Sequence, residues 1–159
     1  MKPVIAIAAA GLMSAAVAAT PAAAYHLSPS GNFTAEGTTT ATAAAGGITL
    51  PCNAQFTGSV NSKGIGSITG GTFTTSTGLP GACEQITLTG LPWKSVAKSA
   101  KKVVIQNAAF TGPLGISCGP SNVPVTLRHG VIKFTAVPMA GGCSIDGNLT
   151  VAPKLKIVP

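Results

Sequence analysis

Two histidines, three acids and four cysteines make up the imidazole, carboxylate and thiol inventory of this 159-residue chain. Catalysis needs titratable groups brought together, and these lie far apart in sequence: His26, Glu36, Glu84, His129 and Asp146. His26 is expected to be mobile near the start of a processed chain, and His129 to stand in a turn. Serines are plentiful, so counting does not remove a Ser–His–acid triad, but no G-x-S-x-G elbow occurs. Glu36 and Glu84 could be cast as a glycosidase pair, yet each reads more simply as a surface charge. Cys52, Cys83, Cys118 and Cys143 form no C-x-x-C pair, and two histidines give a zinc site poor support. The expectation is a protein that is not an enzyme and holds no cofactor or metal, its cysteines joined in two structural disulfides.

The densest chemical feature is "WKSVAKSAKK", residues 93–102, which holds the only tryptophan and four of the ten basic residues, Lys94, Lys98, Lys101 and Lys102. Three readings compete. As an interfacial helix it would align Trp93, Val96, Ala97 and Ala100. Beyond Trp93 that face is one valine and two alanines, too small to hold a membrane, and Pro92 blocks extension upstream. Binding of nucleic acid without sequence preference uses stacking aromatics, and one tryptophan stands alone here. A hairpin fits better, with residues 93–96 running out, 103–110 returning and the lysines at a wet tip. Between Glu84 and Asp146 no acid occurs, while Lys94, Lys98, Lys101, Lys102, Arg128 and Lys133 do. Along the sequence, the positive field belongs to the middle of the chain. Its lysines are candidate contacts to an anionic surface.

The elements that must position these groups read as strands. In "ITLPCNAQFTGSV" (residues 48–60) the even positions are mostly apolar or cysteine and the odd ones mostly polar, the period of a half-buried strand. Pro51 falls on the polar parity, which suits an edge or a bulge. "CSIDGNLTV" repeats the alternation, and "VPVTLRHGVIKFTAV" reads as a hairpin closing near His129 and Gly130. "GNFTAEGTTTATA", "GIGSITGGTFTT", "EQITLTG" and "VVIQNAAF" are further strands. Short strands between Gly- and Pro-rich turns predict one all-β domain, an antiparallel sandwich or barrel of about 8–10 short strands.

Its two halves look alike. Each has a strand with a cysteine, a hairpin turn, a returning strand with a phenylalanine (Phe73, Phe134), then "GAC" or "GGC" and an apolar strand. The matching places favour Cys52–Cys83 and Cys118–Cys143. Cys52–Cys143 is the rival, because both lie on the apolar parity of their strands.

The N-terminus reads as a targeting segment. Lys2 precedes the apolar run of residues 4–19, and Ala22 and Ala24 supply the small residues of a cleavage site. The expectation is a signal peptide over residues 1–24 and a single β domain over 25–159, exported, with no permanent membrane span. The location expected is extracellular or the outer cell surface rather than the periplasm.

"SPSGNFTAEG", "ITLPCNAQFTGSV", "ITLTGLPW" and "GGCSIDGNLTVAP", in this order behind a signal peptide, resemble the alkane oxidation protein activators of the PraB type over roughly residues 27–158. The resemblance implies a small exported bacterial protein that helps cells gain access to, or take up, long-chain alkanes without oxidising them. It carries no catalytic residues over. The lysine cluster is richer than the Ser/Thr-rich segment expected there. Two classes of partner follow: hydrocarbon droplets for an accessory of alkane use, or anionic polysaccharide or lipopolysaccharide for a surface or biofilm-matrix module.

Overall fold

Residues 24–44 and 46–159 are described by a computed structural model; the signal peptide expected over residues 1–24, apart from Ala24, lies outside the described residues. Alternating apolar and Thr/Ser-rich positions form β1 (His26–Ser28), β2 (Gly31–Ala43), β3 (Ile48–Val60), β4 (Gly66–Thr75), β5 (Thr87–Thr89) and β6 (Trp93–Ala97). The remainder of the chain adds β7 (Lys102–Thr111), β8 (Ser117–Arg128), β9 (Val131–Met139), β10 (Cys143–Ala152) and β11 (Lys156–Val158). Eight of them run β7-β6-β4-β3-β2-β10-β9-β8, and β8 pairs back onto β7. The sheet therefore closes. The open choice between sandwich and barrel resolves to a closed antiparallel barrel, which removes the unpaired edges a sandwich would keep.

The eight wall strands and β5 fall within the expected 8–10, although β2 and β3 run to 13 residues each. The extra strands are three-residue pieces. β5 lies along β7, while β1 and β11 make a separate two-stranded ribbon. Pieces of that length are too short to display a period.

Parity works as read. Leu50, Cys52, Ala54 and Val60 of β3 are buried, while Thr49, Asn53, Gln55 and Thr57 face outward. Pro51 lies one residue beyond the last β3–β4 pair, Cys52 with Thr75, so β3 is an edge on that side there. Its carbonyl accepts from the Ser76 hydroxyl at 2.9 Å instead. Between β8 and β9 the chain reverses through His129 (φ 52) and Gly130 (φ 77), a two-residue turn with both φ positive. Gly130 also packs against Lys154, where a Cβ would meet the lysine side chain at 2.8 Å.

The disulfides are Cys52–Cys83 and Cys118–Cys143, with Cα separations of 5.8 and 5.7 Å. The rival pairing is excluded. The halves nevertheless diverge after their second turns. Cys143 opens β10, which pairs along β9. Cys83 sits in a short 3-10 turn, and the strand after it, β5, pairs with β7 rather than with β4.

Because the wall strands alternate in direction, the barrel has two distinct ends. One collects residues 44, 46–47, 76–86, 112–116 and 140–142 together with both disulfides. The other collects residues 61–65, 98–101 and 129–130 and the β1–β11 ribbon. Leu27 and Leu155, each 4% exposed, plug that second end. The Leu27 amide donates to the Gly64 carbonyl at 2.9 Å.

Candidate functional site: an apolar interior and a basic end

Inward-facing side chains of an eight-stranded barrel either fill it or leave room for one small ligand. Here they leave room. Two adjacent cavities of about 90 and 70 Å³ occupy the interior. Phe56, Trp93, Ala108, Phe134 and Ile145 line both and form a waist between them. The lining of the larger cavity is aliphatic and aromatic, with Ser95 its only polar side chain. Outside, the wall carries threonine, asparagine and glutamine, the inverse of a membrane-spanning barrel with its outward apolar band. Among the described residues no helix is long and apolar enough to cross a membrane.

The wall has one irregular place, set by "TGLPW". β5 and β6 both pair with the same side of β7: Thr87, Leu88 and Thr89 with Thr111, Phe110 and Ala109, and Ser95, Val96 and Ala97 with Ile105, Val104 and Val103. They are one strand interrupted at residues 90–92. On its other side β6 meets β4 over only three pairs, and no ladder joins β5 to β4. A seam remains between residues 70–75 and β5. Leu88 closes it, lying so near Gly71 that a Cβ there would meet the leucine at 2.9 Å and Phe56 at the same distance. Trp93 enters the barrel at the interruption. It is 5% exposed, and its indole N–H donates to the Thr89 carbonyl at 2.8 Å.

The tryptophan beside lysines is thus explained by strand alternation. Trp93, Ser95 and Ala97 point inward, Lys94 points outward, and the chain turns at residues 98–101 exactly as a hairpin tip. Lys94, Lys98, Lys101 and Lys102 are all exposed.

In space the positive charge of the middle of the chain is joined by charge from elsewhere. Folding adds Lys63 from the β3–β4 turn and Lys154 and Lys156 from the C-terminal segment to the same barrel end as Lys98, Lys101, Lys102 and Arg128. Lys94 and Lys133 stand two or three residues down the wall. Lys102 and Lys133 flank Thr126 across neighbouring strands, and the Lys101 carbonyl accepts from the Leu127 amide at 2.9 Å. The disulfide end differs. It carries Glu84 and two leucines turned to solvent, Leu79 (61% exposed) and Leu114 (79%).

The three acids act as braces. Glu36 accepts from the Gln55 side chain. Asp146 accepts at 2.8 Å from the amide of Ala136, a residue at φ 47 beside the β9–β10 register shift. Glu84 accepts from the Thr75 amide at 3.0 Å and the Thr75 hydroxyl at 2.7 Å. Those bonds, the backbone one first, hold its carboxyl below the usual carboxylate range. The plain surface-charge reading of Glu84 missed this role, since a loop contact across nine residues has no sequence period. His26 is not a loose end either. It pairs with Val158 in the ribbon and covers Gly64. Among the described residues no three of His, Cys, Asp and Glu converge as metal ligands would.

Fold and site together define a disulfide-stapled, closed β-barrel with an apolar interior and one strongly basic end. The chain belongs to the alkane oxidation protein activators: the model for the PraA/PraB-like family matches residues 1–159. No curated protein and no solved structure matches it.

Proposed function

We propose that this is an exported, non-catalytic accessory protein that promotes bacterial use of long-chain alkanes by easing access to, or uptake of, the hydrocarbon. The observation that carries this reading is membership, over all 159 residues, of a family named for activating alkane oxidation. The residue inventory supports a division of labour. Alkane hydroxylation needs a metal–oxo species held by clustered ligands or haem, whereas the acids of this chain brace loops and bulges. Export is supported by the leader-like N-terminus and by two disulfides, which persist in oxidising compartments. A place outside the cell or on its outer surface follows from the insolubility of the substrate.

Deleting the gene should slow growth on a long-chain alkane and leave growth on the corresponding fatty alcohol or acid unchanged, because these bypass the access step. Protein added from outside should restore growth. A strain impaired equally on all three carbon sources removes the accessory reading.

The concentration of lysines at one barrel end favours a second reading, a surface or matrix module that binds anionic polysaccharide or lipopolysaccharide phosphate. Cell binding that vanishes with salt, without adsorption to hexadecane droplets at high salt, supports the module over the accessory.

A further inference from the structure

We infer that the barrel interior is a binding site for a single unbranched alkyl chain. This deepens the alkane-access reading and rests on it for its purpose. The two cavities, about 90 and 70 Å³, adjoin at a waist whose shared lining includes Trp93, Ala108 and Phe134. Each far exceeds the roughly 10–15 Å³ that one water needs. Water has little to hold it there, since Ser95 is the only polar side chain lining the larger cavity and two threonines line the smaller. Apolar cavities of this kind stay dry and accept apolar guests.

Two small volumes separated by a waist suit a flexible linear chain, which can thread both, better than a bulky ring system, which must fit in one. No charged side chain lines either cavity, so a carboxylate would lose its hydration without gaining a partner. A neutral alkane is the better guest than a fatty acid carrying the same chain. Entry is provided by the seam, where Leu88 lines the smaller cavity and no β4–β5 ladder must break for it to swing aside.

Trp93 is the only tryptophan and lines both cavities, so its fluorescence reports occupancy. The exported protein with its disulfides intact is titrated with 1-bromooctane, whose bromine quenches on contact. Expected are saturable quenching, relief by excess n-octane and weaker competition by octanoate at neutral pH. Octanoate competing as well as octane would assign the site to fatty acids and overturn the neutral-alkane choice. Ala108→Phe fills the waist and should weaken 1-bromooctane binding by roughly tenfold or more, the loss expected when about two methylenes are no longer buried. Should that variant fail to fold, Ala35→Leu narrows the larger cavity instead. A rise in melting temperature of the unaltered protein with octane is an independent readout.

Quenching that grows linearly, ignores octane or persists in a folded, waist-filled variant means surface adsorption and overturns the site. A waist-filled variant that no longer binds octane yet still supports growth on alkane retires the cavity from the function and leaves the accessory reading standing. Loss of the growth effect on deletion is tested separately and does not depend on this cavity.

Discussion

Glu84 is the titratable residue whose pKa the fold lowers. Its carboxylate holds Thr75 at the end of β4, beside the loop that Cys83 anchors. Its folded pKa lies below the unfolded one, so the unfolded chain binds the proton first as pH falls. The stabilisation is complete above the ordinary carboxylate range and is lost as pH drops through the depressed value. Thermal melts from roughly pH 6 to pH 2 should show this decline in the unaltered protein and a shallower one in Glu84→Gln. Identical pH profiles would mean that the Thr75 bonds contribute nothing to folding. Trp93→Ala belongs at the same scale. Removing a buried ring beside existing cavities should destabilise by about 3–5 kcal/mol in denaturant titrations.

Among the elements, each disulfide closes a loop at the barrel end opposite the lysines, with sequence separations of 31 and 25. By the chain-entropy estimate, replacing either pair with alanines should cost about 3–4 kcal/mol of unfolding free energy. The Cys52/Cys83 pair has a second effect, because the 76–86 loop leads directly into β5, which is laddered to β7 but not to β4. Hydrogen exchange at residues 86–89 should accelerate when that pair is removed and stay nearly unchanged when Cys118/Cys143 is removed. Equal acceleration in both would show that the seam is held by the whole barrel rather than by its own staple. The hairpin was readable because alternation continues through Trp93 to Ala97 and resumes at Val103. The interruption at residues 90–92 was visible only as "GLPW", with nothing in it to say which neighbour the broken strand would keep.

For the whole molecule, charge separation along the barrel axis is the consequential property. Replacing Lys98, Lys101 and Lys102 with serine should leave stability within about 0.5 kcal/mol, as exposed substitutions usually do. Binding to anionic cell surfaces should weaken, most at low salt. Replacing Lys63, Lys154 and Lys156 should weaken it comparably, since these share the same end. If only the first set matters, the local hairpin tip and not the assembled end carries the contact. The exposed Leu79 and Leu114 lie at the opposite end, so Leu79→Ser with Leu114→Ser should reduce adsorption to hexadecane while sparing the salt-sensitive binding.

Local pattern determined the all-β class, the inward and outward parity of β3 and β10, the turn at His129 and Gly130 and the preferred cysteine partners. Each depends on a period of two or on a turn residue's backbone, properties carried by a few consecutive positions. The family was legible too, from short structural motifs spread along the chain. Barrel closure was decided only in three dimensions, because it rests on β7 meeting β8 on one side and the broken β5–β6 strand on the other. The apolar cavities and the basic end arose the same way. Cavity volume depends on how side chains from eight strands fail to fill a cylinder. The basic end depends on which turns an up-and-down order brings together, so lysines 63 and 154 became neighbours of a cluster that the linear sequence had set apart.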